Sequence, residues 1–402
     1  MTIIATADGS NVTFALMLES SLAALPGTPH FTKKRHTGAN FEPNFTLADN
    51  GEIVDNKQHA GDSLVALDGS GSIPFQLIIG EYGDLERAAI LGAAAVTSTI
   101  TGTADVAFTA ATKTIVLSGA AAGGFANAMP GEVILIAAAA IAANNGFKTI
   151  ETVVDNDTIT VVETLADDTA ESPTIKLSKI TNGTTRTSFL CEMGYPDIST
   201  FRLIQGIVPT GWNFTADKKS IVSGAFPCLA ISEAPADASI ENSTYVAATT
   251  AEPVNSTSQL HTTRLRKYNA DGTHDAALAC SFSKIAVTVT NGARFVDGVA
   301  EGLFPINVGT GPVKVEVACT AYFRDKNLFL AALNSDSLTL SFGFTDLDGN
   351  SKFVTIPKTK LRQPKYSTPA NASDCTVDFV LKGQIDNFVT QKSIIVSTHL
   401  VA

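Results

Sequence analysis

Ile73-Pro74-Phe75-Gln76-Leu77-Ile78-Ile79, followed by Asp84-Leu85-Glu86-Arg87-Ala88-Ala89-Ile90-Leu91, reads as a strand that runs into a short helix. The same order returns at Val313-Lys314-Val315-Glu316-Val317-Ala318 and Asp325-Lys326-Asn327-Leu328-Phe329-Leu330-Ala331-Ala332-Leu333. The two Asp helix starts lie 325 − 84 = 241 residues apart. Working outward, residues 39–91 and 283–333 both run strand, long loop, strand, helix. Beyond each helix, Thr187 to Ile231 reads as three or four strands with a turn at Pro209, and Leu340 to Ile385 does the same with Pro357. A chain that carries one unit twice predicts a body with approximate rotational repetition, in which one half can stand where a neighbour would.

Each helix start supplies an Asp that can cap free backbone amides. The 3.6-residue spacing turns Leu85, Ala88, Ala89 and Leu91 inward in the first copy, and Leu328, Phe329, Ala332 and Leu333 in the second. After the second helix the chain passes through Asn334-Ser335-Asp336-Ser337 straight into a strand. After the first, about 85 residues intervene before Thr181-Asn182-Gly183-Thr184 resumes the pattern. This stretch holds short β runs joined by Asn144-Asn145-Gly146 and Asp155-Asn156-Asp157 turns, the pattern of an inserted small β sandwich. It carries nine acidic and four basic residues, most of the acids between Glu151 and Glu171, which predicts a solvated acidic rim and a peripheral position.

The boundaries that follow are an N-terminal arm over 1–38, a first module over 39–96 plus 180–240, the insert over 97–179, a linker over 241–282 and a second module over 283–402. The arm is broken at Pro26-Gly27-Thr28-Pro29. It ends in the basic cluster Lys33, Lys34 and Arg35, for which an acidic surface on a neighbouring subunit is a fitting partner. The polar loop that holds Gly51, Glu52, Asp55, Asn56, Lys57 and Asp62 is too long for a simple turn and is expected to touch something.

The 402 residues are 45% apolar and 17% charged, enough for two or three cored domains. A net charge of −11 argues against a surface that grips nucleic acid through its phosphates. The longest apolar run, Val133 to Ala143, is far short of a membrane span, and the first residues lack the basic start of an export signal, so a cytoplasmic protein is expected. Five cysteines without close spacing (Cys191, Cys228, Cys280, Cys319, Cys375) read as buried thiols rather than a zinc site or disulfide framework. Without an export signal, sequons such as Asn44-Phe45-Thr46 carry no weight for glycosylation.

Gly61-Asp62-Ser63-Leu64 and Asp271-Gly272-Thr273-His274 spell the signatures of GDSL-type esterases. The nucleophile would need a strand-to-helix elbow, yet Ser63 leads into Leu64-Val65-Ala66-Leu67, a strand pattern. Asp346-Leu347-Asp348-Gly349-Asn350 starts like a calcium loop, but Pro357 stands where the bidentate Glu belongs, so a hairpin turn is expected. The six histidines are scattered, and Gly69-Ser70-Gly71 lacks the flanking elements of a phosphate cradle. No enzyme, metal or cofactor is expected.

In their order along the chain, several segments resemble the major tail tube proteins of long non-contractile-tailed bacteriophages. They are Pro26-Gly27-Thr28-Pro29 with Arg35-His36-Thr37-Gly38, Gly71 through Leu85, Ala143-Asn144-Asn145-Gly146-Phe147, Ala321-Tyr322-Phe323-Arg324-Asp325, Phe344 through Asn350, and Ile356-Pro357. The resemblance implies a mainly β chain of two tandem tail-tube β-sandwich modules, each with one short helix, plus an inserted domain similar to immunoglobulin-like ornaments. It implies stacked rings that join strands into an inner barrel, a lumen through which DNA passes, and residues 51–62 as the ring-stacking loop; the acidic composition then predicts an acidic lumen that DNA transits without specific binding. Two copies per chain imply a three-subunit ring with pseudo-six-fold symmetry, with an ordinary six-subunit ring as the alternative. Implied partners are the chain itself, a tape measure protein and tail-end or terminator proteins, in the virion tail after assembly in the host cytoplasm. The rival reading is an outward-facing β binding module, an adhesin or capsid decoration protein.

Overall fold

The computed structural model describes residues 6–51, 61–255, 259–269, 272–299, 302–367, 371, 374–386 and 390–401. The first part of the chain gives β1 (Thr13–Leu18), β2 (His30–Lys33), β3 (Asn40–Asp49), β4 (Asp62–Gln76) and α1 (Gly83–Ala89). The insert follows with β5 (Val96–Thr101), β6 (Val106–Thr109), β7 (Thr114–Leu117), β8 (Val133–Ala137), β9 (Gly146–Val153), β10 (Thr158–Val161), β11 (Asp168–Glu171) and β12 (Thr174–Thr181). The first module then resumes with β13 (Phe189–Tyr195), β14 (Thr200–Pro209), β15 (Gly211–Asp217), β16 (Ser223–Ala230) and β17 (Ser232–Ala236). Next come β18 (Thr244–Val246), β19 (Gln259–Tyr268), β20 (His274–Ala277), β21 (Ser281–Thr290), β22 (Arg294–Val296), β23 (Asn307–Gly309) and β24 (Lys314–Tyr322). The chain finishes with α2 (Asn327–Leu333), β25 (Ser337–Thr345), β26 (Ser351–Ser367), β27 (Thr376–Gly383) and β28 (Ile395–His399).

The protein is mainly β with two short helices. Period-2 alternation explains the central strands: β24 buries Val315, Val317, Cys319 and Ala321, and β21 buries Ile285, Val287 and Val289, with polar residues or alanine between. The pairing pattern occurs twice. In the first half β1 pairs with β13, β13 with β14, β14 with β17, β3 with β4, and β4 with β16. In the second, β19 pairs with β25, β25 with β26, β26 with β28, β21 with β24, and β24 with β27. The long β26 does the work of β14 and β15 together, its first part pairing with β25 and its end with β27.

One ladder joins the halves. β15 runs antiparallel to β21 from Gly211 opposite Thr290 to Asp217 opposite Lys284. The result is a continuous run of eight strands, β3-β4-β16-β15-β21-β24-β27-β26. A single apolar core spans both halves and includes Phe75, Trp212, Phe214 and Phe226 from the first with Val287, Val317, Phe342 and Ile356 from the second.

Several expectations change. The stretches read as arm and linker are strand-bearing: β1 pairs with β13, and β19 pairs with β25, because each supplies the outer neighbour of a module's sheet. Asp84 is not a cap; it lies inside the first turn of α1 and pairs with Arg87 at 3.2 Å, whereas Asp325 does accept the Asn327 N–H at 2.9 Å. Leu85, Ala88 and Ala89 are buried as predicted, but α2 buries Leu328 and Ala331 and leaves Phe329 and Leu333 exposed. Pro357 makes no turn. It sits within β26, where the ladder to β25 shifts register, the kind of irregularity that tolerates a residue without an N–H.

The insert folds around its own core of Ile100, Phe108, Ile115, Phe125, Ile136, Ile159 and Ile175. Rather than hanging free, it is seated on the second half. β12 pairs with β28 at Ile180 and Thr181, His399 Nε2 bonds Val133 O at 2.7 Å, and Phe147 packs on Phe353 with ring centroids 4.9 Å apart.

Candidate assembly surface

The residues singled out for catalysis are not brought together. Ser63 lies in β4 opposite Ala48, while His274 in β20 bonds Glu151 Oε1 at 3.0 Å and Thr339 Oγ1 at 2.9 Å; Asp271 lies outside the described residues. The Asp346 carboxylate accepts the N–H groups of Asp348 and Asn350, which makes the expected hairpin turn between β25 and β26. Among the described residues no group of three His, Cys, Asp or Glu could hold a metal, and no helix is long and apolar enough to cross a membrane. All five cysteines are free; Cys191, Cys228 and Cys319 are buried, Cys280 half-buried and Cys375 exposed. Burial pushes the Cys191 thiol well up, so it is an inert core group.

The basic cluster is bonded within the chain. Lys34 Nζ reaches Glu81 at 3.5 Å and the Glu81 carbonyl at 2.7 Å, Arg35 donates to Ala251 O at 2.6 Å, and the Lys33 ammonium lies 5.7 Å from the centre of the Tyr245 ring. Of the loop residues, Gly51 and Asp62 are exposed at the tip of the β3–β4 hairpin, with Asp62 opening β4 opposite Asp49. Glu52, Asp55, Asn56 and Lys57 lie outside the described residues.

Charge clusters of the insert serve its seating. Glu163 pairs with Arg264 at 2.6 Å, and Glu151 binds both Arg266 and His274 beside a cavity of about 40 Å³ lined also by Tyr268, Thr339 and Asp386. Burial alone would raise the Glu151 carboxyl, but the bonds from His274 and Arg266 outweigh it and hold the pKa down to about 2. Glu171 is buried and accepts the amides of Ala140 and Ile141. Of the rim expected to be solvated, Glu151 and Glu163 are instead taken up by arginines of the second half, which the sequence gave no hint were near, while Asp155 and Asp167 stay exposed. A second charge seam joins the halves: Glu86 of α1 pairs with Lys352 of β26, both almost fully buried.

What stays open is strand edge. The eight-strand run ends in β3 at one margin and the last part of β26 at the other, and among the described residues neither margin has a strand paired beside it. Exposed apolar side chains gather at both: Phe45, Leu47, Leu64 and Val65 on the β3–β4 hairpin, and Phe323, Phe329, Leu333 and Tyr366 around α2 and β26. Open edges with apolar flanks are a liability that monomers usually blunt, and they define the class here, a β-sheet subunit built to associate.

The comparison with known proteins agrees. Residues 9–380 match the family model described as phage tail tube protein, so the chain belongs to that family, a structural component of the virion tail. No curated protein matches the chain. The signal that could have found the edges in the sequence is Pro43 and Pro364, each in a margin strand where a missing N–H costs nothing. Nothing local in the sequence pointed to Glu86–Lys352 or to Arg264 and Arg266.

Proposed function

We propose that this protein polymerises into rings of three chains, stacked into a tube through which DNA leaves the virion. The observation that carries the reading is the β15–β21 ladder. It joins two modules of like topology edge to edge while leaving the matching outer edges open, so the next chain can repeat within the ring what the chain does internally. Six modules then close a ring without free edges. The stacking loop expected over residues 51–62, most of which lies outside the described residues, would contact an adjacent ring. In the second module the loop between β21 and β24 instead folds back, Leu303 O accepting the Leu67 N–H at 2.8 Å. Lys33, Lys34 and Arg35 brace the first module near the seam of adjacent subunits, and a tape measure protein fills the lumen before ejection.

In such a ring the polar face of the eight-strand run lines the channel. Its acids, Glu42, Asp68, Asp217, Glu316 and Asp378, are interleaved with Lys284, Lys314, Lys360, Arg362, Lys365 and Lys382, among serines and threonines. DNA would pass a face without strong net charge rather than the acidic lumen anticipated from composition, and weak attraction still keeps transit fast. Electron microscopy of the purified chain with native mass measurement tests the reading. Rings of three chains that stack into tubes support it; particles that stay monomeric at every salt and protein concentration refute it, and rings of six chains refute the stoichiometry.

A further inference from the structure

The chain contains its own template for the contact between copies. Ser223 opens the ladder of β16 to β4 at Gln76, and Thr376 opens that of β27 to β24 at Tyr322. Gln76 therefore corresponds to Tyr322, an offset of 322 − 76 = 246. Asn40, opposite Ser72, then corresponds to Ala286, opposite Ala318. At the other margin Thr215 lies opposite Ser223 and Ser367 opposite Thr376, so β15 residue 215 corresponds to β26 residue 367. Inside the chain Asn213, Phe214 and Thr215 face Thr288, Val287 and Ala286.

We propose that adjacent copies join through one antiparallel ladder in which Lys365-Tyr366-Ser367 of β26 pairs with Glu42-Phe41-Asn40 of β3 in the next copy. This sets Lys365 against Glu42 and Tyr366 against Phe41, and it deepens the ring reading, on which it rests.

The backbone supports this register. Asn291 donates to Thr210 O at 3.0 Å, so alternate residues of β21, Val287 among them, turn their N–H and C=O toward β15. On β3, the Leu67 N–H points away to Leu303 O; its opposite residue Phe45 therefore faces the open margin, and Pro43 and Phe41 do likewise. On β26, Cys375 O accepts the Phe323 N–H, which turns Val377 toward β24 and its opposite residue Tyr366 toward the open margin. Phe41 and Tyr366 are thus poised as a hydrogen-bonded pair, as Val287 and Phe214 are. Arg202 Nη2 already donates to Phe41 O at 2.6 Å; that carbonyl keeps a second lone pair, and Phe41 keeps its backbone N–H as a donor. Pro43 and Pro364 end the ladder and blunt the free margins against pairing out of register.

Lys365 and Glu42 fall at the neighbouring non-hydrogen-bonded position, where side chains stand closest, and both are exposed in the single chain. The flanks also match. Asn291 Nδ2 bonds Ala89 O at the end of α1, and the offset carries residue 291 to Phe45. Phe45, 62% exposed, would then come to the end of α2 in the next copy, where Leu333 is 69% exposed.

Charge reversal tests the register in the full chain. Glu42→Lys and Lys365→Glu should each cut sedimentable rings and tubes at least about ten-fold, and the double variant should restore most of them, with unchanged thermal unfolding of the unassembled chains as the folding control. Singles that assemble like the wild type, or a double variant no better than the singles, would overturn the register. Cysteines at 42 and 365 in a Cys375→Ser background should oxidise, in assembled rings, to covalent trimers; assembled rings that yield only monomers on a non-reducing gel would also overturn it. A wild type that never forms rings defeats the ring reading itself, and this contact with it.

Discussion

Replacing Glu86 with Gln should be among the most damaging single changes in the protein. Glu86 is 1% and Lys352 2% exposed, and they pair between α1 of the first half and β26 of the second. Removing one partner strands a buried ammonium, a loss of about 3–5 kcal/mol. Trp212 is the chain's single tryptophan, 1% exposed on the strand that joins the halves, so its fluorescence reports this junction. With a urea slope of about 3 kcal/mol per M, the unfolding midpoint should fall by roughly 1–1.7 M. The double variant Glu86→Leu with Lys352→Met removes both charges and should lie near the wild type or above it, since well-packed apolar replacements of buried pairs are often neutral or stabilising. A cavity of about 430 Å³ lined by Glu86, Lys352, Lys34 and Arg87 adjoins the pair. Should Glu86→Gln cost less than about 1 kcal/mol, water in that cavity solvates the lysine and the reasoning fails; a double variant worse than the singles added together would refute it equally.

Acid should loosen the insert. The Glu151 pKa is held at about 2 against an ordinary 4.5, so its stabilisation is complete above about pH 4.5 and is lost as pH falls toward 2; at its partly solvated site it amounts to about 1–2 kcal/mol. Hydrogen exchange along β9 should quicken over that window in the wild type and show a smaller step in Arg266→Ala, where His274 still holds Glu151, and identical profiles would count against the seam. Gly211→Ala should destabilise the junction by about 2 kcal/mol or more, because a Cβ there meets the Val289 carbonyl of the paired strand; a fluorescence midpoint equal to the wild type's would contradict the close approach. Trp212→Ala should cost about 3–5 kcal/mol in calorimetric unfolding, and a loss below 1 would mean that the shared core tolerates a cavity there. Excising residues 97–179 should lower the melting temperature of the body by uncovering Phe353, His399 and Arg264, whereas an unchanged melt would restore the insert to a peripheral role.

The period-2 runs in β21 and β24, the helix that follows each hairpin and the interruption after α1 were all legible from residue order, because each depends on side chains a few positions apart. Helix faces were legible only in part. The spacing that buries Leu85 and Ala88 in α1 is matched in α2, yet Phe329, resting edge-on against Tyr366, and Leu333 stay exposed because no further layer covers that end among the described residues. The insert's acids looked solvated for the same reason: no local pattern tells Glu151 and Glu163 that Arg266 and Arg264, more than 100 residues later, will stand beside them.

The sequence by itself determined that the protein is mainly β, with a strand-and-helix order that reads twice and an interruption after the first helix, that it resembles tail tube proteins, and that its residue patterns spell no catalytic constellation. Alternation, turn residues and the repeat are properties of neighbours along the chain. Only the tertiary structure decided which strands lie side by side, and hence that β15 meets β21 while β3 and the end of β26 stay open. Strand pairing is chosen by register and burial across the whole sheet, between residues far apart in the chain.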